Sequence, residues 1–199
     1  MQSIQTVSEN TIYVGASDRR LAKFENLFPI PRGVSYNAYV ILDEKTALLD
    51  TADASVGAQF LENVAAALDG RKLDYLIVDH MEPDHAAMIE AVLVRWPDLR
   101  LVVNAKTLPM LKMYFPTDNA AIDDALVVKE GDTLDLGKHK LTFVMAPMVH
   151  WPEVMMTFDT TTGTLFSADA FGTFGALEGA LFADEVDFAG KWLDDARRY

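Results

Sequence analysis

The sequence predicts an α/β (α+β) fold in which two β-sheets pack face to face and helices cover the outside. The order of the elements leads to this prediction: β-hairpin patterns come first, then alternating helices and strands, then further hairpins and a last helix. In such a sandwich each sheet buries one apolar face against the other sheet. No repeat, low-complexity tract or linker interrupts the 199 residues, so we expect one domain over residues 1–199.

The first third of the chain has the pattern of two β-hairpins. Short apolar runs flank a turn at residues 9–10 in the first hairpin and at residues 43–45 in the second. The predicted strands are Ile4–Val7, Thr11–Val14, Tyr39–Leu42 and Ala47–Leu49.

The middle of the chain alternates helices with strands. Apolar residues recur at helical spacing, and a glycine or proline follows each helical run. The predicted elements are helix Val56–Leu68 before Gly70, strand Leu73–Val78, helix Met88–Trp96 before Pro97, strand Leu101–Val103 and helix Leu108–Tyr114 before Pro116.

The last third returns to hairpins and ends in a helix. The predicted strands are Thr133–Leu136 and Lys140–Ala146, followed by Val154–Phe158 and Thr164–Ser167. An amphipathic helix is predicted from Asp187 to the last residue. Because that helix stops without a glycine, a proline or a polar tail, we expect the domain to be incomplete at its C-terminus.

Composition excludes several classes of function. The chain has no cysteine, which removes thiolate zinc sites, iron–sulfur clusters and cysteine nucleophiles. Its 17 basic and 30 acidic residues give a net charge of −13, which argues against nucleic-acid binding. No apolar run reaches the roughly 20 residues of a membrane span. The first residues lack a secretory signal pattern, so we expect a cytoplasmic protein without membrane association.

A polar run directly follows the first predicted strand of the middle third. Pro83 disfavours a helical conformation at the residue before it. In an extended run alternate side chains share one side, so His80, Glu82 and Asp84 should project together. His85, at the start of the next helix, should point elsewhere. Two imidazoles and two carboxylates within six residues predict a metal site.

Two further candidate ligands follow later strands. His150 comes after the strand that ends at Ala146, and Asp169 comes after the strand that ends at Ser167. A mixture rich in carboxylates suits iron or manganese better than zinc. Charge indicates two ions, because two ferrous ions bring +4, the three carboxylates supply −3, and one bridging hydroxide would complete the balance.

Each candidate also has a structural explanation when it is considered alone. His80 and Asp84 could be a helix N-cap and its neighbour. His150 could be a half-buried histidine with satisfied hydrogen bonds. Asp169 stands near a glycine at a strand end, where aspartate often forms turns.

Three other groups are interpreted without a ligand role. We expect Asp50 to be a cap or an acceptor behind the ligands. We expect His139 to be solvated, because it lies in a tight turn beside two lysines. The nine methionines are interpreted as core filling.

The motif His80-x-Glu82-x-Asp84-His85 resembles the metal motif of flavodiiron proteins, a branch of the metallo-β-lactamase fold. Their motif has glutamate where zinc hydrolases carry a second histidine. The resemblance extends over most of the chain. The matching segments are Pro31–Tyr39, Ala47–Thr51, Ala146–Pro152 and Leu165–Gly172.

The resemblance implies a metallo-β-lactamase-like αββα sandwich of two mixed sheets that holds two non-haem irons. His80, Glu82 and His150 would hold one iron, Asp84 would hold the second, and Asp169 would bridge them. His85 matches a ligand that varies within the family. Family members reduce dioxygen to water or nitric oxide to nitrous oxide.

The resemblance also implies an electron supply and partners. Electrons would come from FMN, bound by a missing flavodoxin-like domain or a partner chain, and from a flavodoxin or rubredoxin donor. Family members form head-to-tail homodimers. The family's last histidine ligand and its flavodoxin-like domain both lie beyond Tyr199, so we expect most, but not all, of a diiron domain.

Three alternatives remain open from the sequence. The chain could be a flavin-free diiron sensor that binds oxygen reversibly. It could be a binuclear metal-dependent hydrolase of the same fold, although Glu82 argues against this. It could also be a degenerate domain that binds no metal, because a ligand is missing.

Overall fold

The structure is a computed structural model that describes residues 3–115 and 120–197, apart from the side chain of Asp195. The predicted stop at Pro116 lies outside the described residues. In chain order the strands are β1 (Gln5–Ser8), β2 (Thr11–Tyr13), β3 (Ala16–Asp18), β4 (Lys23–Phe24), β5 (Phe28–Pro29), β6 (Val34–Tyr36), β7 (Tyr39–Leu42), β8 (Thr46–Leu49), β9 (Tyr75–Ile77), β10 (Arg100–Asn104), β11 (Leu126–Val128), β12 (Thr133–Asp135), β13 (Lys140–Met145), β14 (Met155–Asp159) and β15 (Thr164–Phe166).

The strands form two main sheets and two short ribbons. The first sheet has the order β1-β2-β7-β8-β9-β10-β11 and is mixed, with antiparallel pairs up to β8 and parallel pairs from β8 to β11. The second sheet has the order β12-β13-β14-β15, and its described strands are all antiparallel. The ribbons pair β3 with β6 and β4 with β5.

Helices connect the parallel strands of the first sheet in sequence, and two further helices follow the last strand. They are α1 (Gly57–Leu68), α2 (Pro83–Ala86), α3 (Ile89–Arg95), α4 (Thr107–Tyr114), α5 (Ala120–Asp123), α6 (Phe188–Lys191) and α7 (Leu193–Ala196). Helix α1 buries Phe60, Val64 and Leu68 on one face and ends with Asp69 in the left-handed conformation. Among the described residues, no helix is long and apolar enough to cross a bilayer.

Two separate apolar cores define the layers. One core joins the helices to the first sheet, with Phe60, Ile89 and Leu111 packed against strand residues such as Leu48. The other core lies between the two sheets, where Ile77 of β9 and Phe143 of β13 are fully buried. Strand β8 is buried at all four positions, because it is covered on both faces. This layering confirms the predicted fold class.

The structure also contains elements that the pattern did not predict. The ribbons, helix α5 and strand β11 are additions, since elements of two to four residues carry too little periodicity to detect. The prediction of one continuous C-terminal helix is wrong. Trp192 interrupts it with φ −123°, and its indole ring lies under the guanidinium of Arg32 at 4.4 Å. This tertiary contact fixes Trp192 in a non-helical conformation.

Candidate metal centre

Three strand ends bring the candidate ligands to one edge of the sandwich. Strand β9 leads into His80, β13 leads into the loop that carries His150, and β15 leads into Asp169. The backbone N–H of Met155, at the start of β14, donates to the carbonyl of Asp79 at 3.0 Å and joins the two sheets here. Ligands far apart in sequence therefore converge because neighbouring strands end at the same edge.

The run after β9 is extended only as far as Glu82. Glu82 has φ −60° and ψ 146°, as the following proline requires. Helix α2 then begins at Pro83, which suits the first position of a helix because it needs no N–H there. The expectation that Asp84 continues an extended run is therefore wrong, and both Asp84 and His85 lie on a helical turn.

The first group of donors consists of His80, Glu82, His150 and Asp169. The Nε2 of His150 lies 2.8 Å from Oε2 of Glu82 and 3.0 Å from Oδ2 of Asp169. The Nε2 of His80 lies 3.2 Å and 3.4 Å from the same two oxygens. His80 is fully buried, whereas the His150 side chain is 39% exposed, so the group faces solvent on one side.

The second group of donors consists of Asp84, His85 and Asp169. The Nε2 of His85 lies 2.7 Å from Oδ1 of Asp169 and 3.8 Å from Oδ2 of Asp84. Asp169 thus offers one oxygen to each group. The expectation that His85 points away from the other candidates is wrong, because the helical turn at α2 rotates its ring toward Asp169.

Glu153 is a site residue that the sequence analysis missed. Its Oε1 lies 2.7 Å from Nδ1 of His80 and accepts the backbone N–H of Met81 at 3.0 Å. A carboxylate in this position fixes the ring of a ligating histidine and leaves Nε2 free to bind. The only sequence feature that could have indicated a role for Glu153 is its position three residues after His150. Nothing in the local sequence indicates that its side chain points toward His80.

Asp50 occupies the equivalent place behind His85. Its Oδ2 lies 2.9 Å from Nδ1 of His85, and its Oδ1 accepts the backbone N–H of Asp79 at 2.7 Å. The structure therefore places Asp50 where an acceptor behind the ligands was expected. Thr51 adds to this support, because its hydroxyl donates to the carbonyl of His85 at 2.6 Å.

The converging charges shift the pKa values of the site in opposite directions. Burial lowers the pKa of His80, but hydrogen bonds to Asp169, Glu153 and Glu82 outweigh it and raise the value to about 11. Burial raises the pKa of Asp169, but hydrogen bonds to His80 and His85 bring it far below its usual range. Burial raises the pKa of Asp84 to about 7. The metal-free site therefore holds protons where a cation would otherwise lie.

The residues present fit a pair of divalent metal ions. Three imidazole nitrogens and oxygens of three carboxylates face a common space, and Asp84 Oδ1 is buried without a hydrogen-bond partner. An unsatisfied buried carboxylate oxygen is costly unless a cation or donor meets it. The mixture of imidazole and carboxylate ligands, without thiolate, suits iron or manganese.

A cavity of about 870 Å³ opens directly on the first group. Glu82 and His150 are among its lining residues, and its walls are mainly apolar, with Phe24, Trp151 and Phe174. The Trp151 ring stands edge-on to His80 at 5.3 Å. The cavity gives a small uncharged molecule a route to the donors.

His139 lies away from this centre, at the far end of β14. The expectation that it is solvated is wrong, because it is fully buried. Its Nδ1 lies 2.8 Å from Oδ2 of Asp159, and its backbone N–H donates to Asp43 at 2.6 Å. The tight turn folds the ring inward between hairpins rather than outward with Lys138 and Lys140.

Comparison with known proteins assigns the chain to a family. Residues 34–192 match the family model described as ODP family beta lactamase. The chain belongs to this family. The match runs from before β7 to beyond Asp169, so all six candidate ligands of this ODP-family chain lie within the matched residues.

Individual relatives agree with that assignment. The ODP-family chain is 36% identical over 195 residues to a nitric oxide reductase of Moorella thermoacetica. The alignment covers 97% of this chain and 47% of the reductase. It superimposes on rubredoxin oxygen:oxidoreductase of Desulfovibrio gigas with a TM-score of 0.88 and 30% sequence identity. That superposition covers 94% of this chain and 46% of the Desulfovibrio chain. It superimposes on the flavodiiron protein of Giardia intestinalis with a TM-score of 0.86 and 27% identity, with 96% and 45% of the two chains covered.

These comparisons confirm the resemblance to flavodiiron proteins and the metallo-β-lactamase-like fold. The chain spans about half the length of these relatives.

Proposed function

We propose that this chain is a diiron domain of an oxidoreductase that reduces dioxygen to water or nitric oxide to nitrous oxide. The observation that carries the proposal is Asp169, which offers one oxygen to each of two donor groups. The relatives named nitric oxide reductase and rubredoxin oxygen:oxidoreductase support the reaction class. Two ferrous ions would supply electrons to the bound gas from adjacent positions.

The proposed ligands divide between the two ions. His80, Glu82 and His150 would hold the first ion, and Asp169 would bridge. Asp84 and His85 would hold the second ion. In this assignment Glu153 and Asp50 keep the two buried imidazoles oriented through their Nδ1 atoms.

The surroundings of the donors suit a small uncharged substrate. The walls of the cavity are mainly apolar, and its charged lining residues besides the donor Glu82 are Glu25 and Arg32. The Trp151 ring stands edge-on to His80 at 5.3 Å and to His150 at 6.2 Å. The half-exposed His150 marks the side from which a substrate reaches the donors.

Electrons must come from outside the described residues. We propose FMN in another segment or chain, with a flavodoxin or rubredoxin as donor and a head-to-tail homodimer as the assembly. The relative named rubredoxin oxygen:oxidoreductase supports a rubredoxin-type donor. That residues 1–199 form one domain and that the protein is cytoplasmic also remain predictions.

Anaerobic reconstitution with ferrous iron tests the proposal. We expect close to two irons per chain by elemental analysis, and consumption of oxygen or nitric oxide when reduced FMN and rubredoxin are supplied. Asp169→Ala is the matched negative control and should lose both properties. Two bound irons without any gas consumption would contradict the reductase.

Other outcomes of the same experiment identify the alternatives. A stable oxygen adduct that releases oxygen unchanged would indicate a sensor. Thioester or phosphodiester hydrolysis by the zinc-loaded protein would indicate a hydrolase. Failure to bind any metal would indicate a degenerate domain.

A further inference from the structure

Asn104 connects a neighbouring strand to the loop that carries His150 and Glu153. It is the last residue of β10, and β10 runs parallel to β9, so the two strands end at the same edge of the first sheet. The Asn104 side chain is buried, and its Nδ2 donates to the backbone carbonyl of Glu153 at 2.6 Å. A residue of β10 therefore holds the backbone of the residue whose carboxylate contacts His80.

The helix that follows β10 fixes the orientation of the Asn104 amide. Its Oδ1 accepts the backbone N–H of Lys106 at 2.8 Å and that of Thr107 at 3.1 Å, where α4 begins. Backbone N–H groups only donate hydrogen bonds, so the amide oxygen must face them. The NH₂ group of the planar amide therefore faces the other way, toward the carbonyl of Glu153. Both ends of the amide are used, and the side chain cannot turn without losing hydrogen bonds.

The turn between β10 and α4 makes a second contact with the same loop. The Nζ of Lys106 donates to the carbonyl of Pro152 at 3.0 Å. This turn thus holds two consecutive carbonyls of the loop, those of Pro152 and Glu153. Lys106 is exposed whereas Asn104 is buried, so water competes with the lysine contact more than with the amide contact. Asn104 is therefore the main support.

The carboxylate of Glu153 depends on this support. Its Oε1 lies 2.7 Å from Nδ1 of His80 and accepts the backbone N–H of Met81 at 3.0 Å. Its Oε2 is buried and has no hydrogen-bond partner among the described residues. The position of the carboxylate is therefore set by Oε1 and by the backbone from which the side chain extends. A shift of that backbone would move the acceptor away from the His80 ring.

We propose that Asn104 is a positioning residue of the metal centre, which acts through Glu153 on the imidazole of His80. This inference rests on the proposed function, because it assumes that His80 binds a metal ion. The amide fixes the Glu153 backbone, the Glu153 carboxylate fixes the His80 ring, and Nε2 of that ring is then presented to the ion. Asn104 is not one of the donors, so its effect on metal binding is indirect.

Titration of the metal-free protein with Co²⁺ alone tests this inference. Asn104→Asp keeps the acceptor for the N–H groups at the start of α4, but it replaces the donor with an oxygen that the Glu153 carbonyl repels. We expect Asn104→Asp to bind Co²⁺ at the first donor group about fivefold more weakly, which is less than the loss expected for a direct change of Glu153. We also expect a changed visible absorption of the bound cobalt, because the His80 ring is less well oriented.

Asn63→Asp is the matched control. Asn63 on α1 is fully buried, and its Nδ2 donates to the carbonyls of Val14 at 3.2 Å and Gly15 at 2.9 Å. The same substitution therefore removes the same kind of buried contact and adds the same charge, but its partners belong to neither donor group. We expect both variants to lower the unfolding free energy in urea, and Asn63→Asp to retain the wild-type Co²⁺ affinity and spectrum. An equal loss of affinity in Asn63→Asp would overturn the inference, because general destabilisation would then explain the effect.

A double-mutant cycle with Glu153→Gln tests the route of the effect. If Asn104 acts through Glu153, the two substitutions weaken the same contact and are not additive. Asn104→Asp should then change the Co²⁺ affinity of Glu153→Gln by less than about twofold. An undiminished loss in the Glu153→Gln background would overturn the route through Glu153.

Asn104→Ser is a second variant, which introduces no charge. Its hydroxyl can still accept an N–H group at the start of α4, but it is too short to reach the carbonyl of Glu153. We expect a loss of Co²⁺ affinity similar to that of Asn104→Asp. Wild-type affinity and spectrum in both Asn104 variants would overturn the positioning role and leave the proposed function standing. Absence of Co²⁺ binding by the wild-type protein would instead overturn the metal centre itself.

Discussion

Two buried histidines, at opposite ends of the second sheet, have different surroundings. His85 has Asp50 on one ring nitrogen, with Asp169 and Asp84 near the other at 2.7 Å and 3.8 Å. His139 has one carboxylate, Asp159, on Nδ1. Both imidazoles are buried and paired with acids, so burial and pairing do not by themselves distinguish a candidate ligand.

The number of carboxylates and their access to a cavity distinguish the two ends. Around His85 and His80 the negative charge exceeds what the imidazoles can neutralise, and a cavity opens on the excess. Asp159, beside His139, also accepts the hydroxyl of Thr162 at 2.6 Å and the N–H of Thr161 at 3.0 Å. The first end therefore suits a cation, whereas the second end suits a structural role that joins hairpins.

Replacing Asp169 should have the largest effect on the metal end. Asp169→Ala removes one oxygen from each donor group, so we expect Co²⁺ affinity to fall by more than the roughly 10–100-fold that loss of a residue behind a ligand costs. Titration with Co²⁺ measures this change, and His139→Ala is the control that should retain wild-type stoichiometry. Two tightly bound ions in Asp169→Ala would show that the groups do not share this ligand.

Replacing His139 should instead destabilise the fold. His139→Ala leaves the buried Asp159 carboxylate without its hydrogen-bond partner at Nδ1 and opens a cavity between hairpins, which we expect to lower the free energy of unfolding by about 3 kcal/mol. Urea denaturation of the metal-free protein gives the value. A loss below about 1 kcal/mol, or a loss of metal binding, would remove the distinction between the two ends.

Glu153→Gln should have a smaller effect than the loss of a direct ligand. The amide is a weaker acceptor for the Nδ1 proton of His80, so the imidazole becomes a poorer ligand, and we expect about tenfold weaker Co²⁺ binding. In the metal-free protein the same change should also lower the unfolding free energy, because it removes one of the carboxylates that raise the pKa of His80. Glu62→Gln, at an exposed position on α1, serves as the control for net charge. Equal affinity in the two variants would contradict the positioning role of Glu153.

The last test concerns the pH dependence of the metal-free protein. His80 has a folded pKa of about 11, above the usual 6.5 of an unfolded histidine. Its stabilising contribution is therefore complete below pH 6.5 and is lost as the pH rises toward 11. We expect the unfolding free energy to fall by about 1 kcal/mol per pH unit between pH 7.5 and 9.5.

Urea denaturation at several pH values measures that slope. His80→Asn should flatten it, whereas Glu62→Gln, at an exposed position on α1, is the control that should retain the wild-type slope. A slope that is the same in the wild type and in His80→Asn would show that His80 is not the group responsible.

The sequence predicted the long helices and the paired strands of the main sheets better than the short ribbons and the C-terminal helices. Strong periodicity located α1, and alternation around turns located the paired strands β7 and β8. The ribbon of β4 and β5 was missed because its strands have only two residues each. The break at Trp192 was missed because a contact with Arg32 causes it.

The sequence by itself determined the set of candidate ligands, because their residue types and their places after strands are local properties. The described structure brings all six of these side chains to one edge. Only the tertiary structure decided their grouping, since Pro83 starts a helical turn that rotates Asp84 and His85 away from an extended run. It also decided the surroundings of Glu153 and His139, because a side chain's partners depend on which distant strands and loops pack beside it, and no local pattern records that.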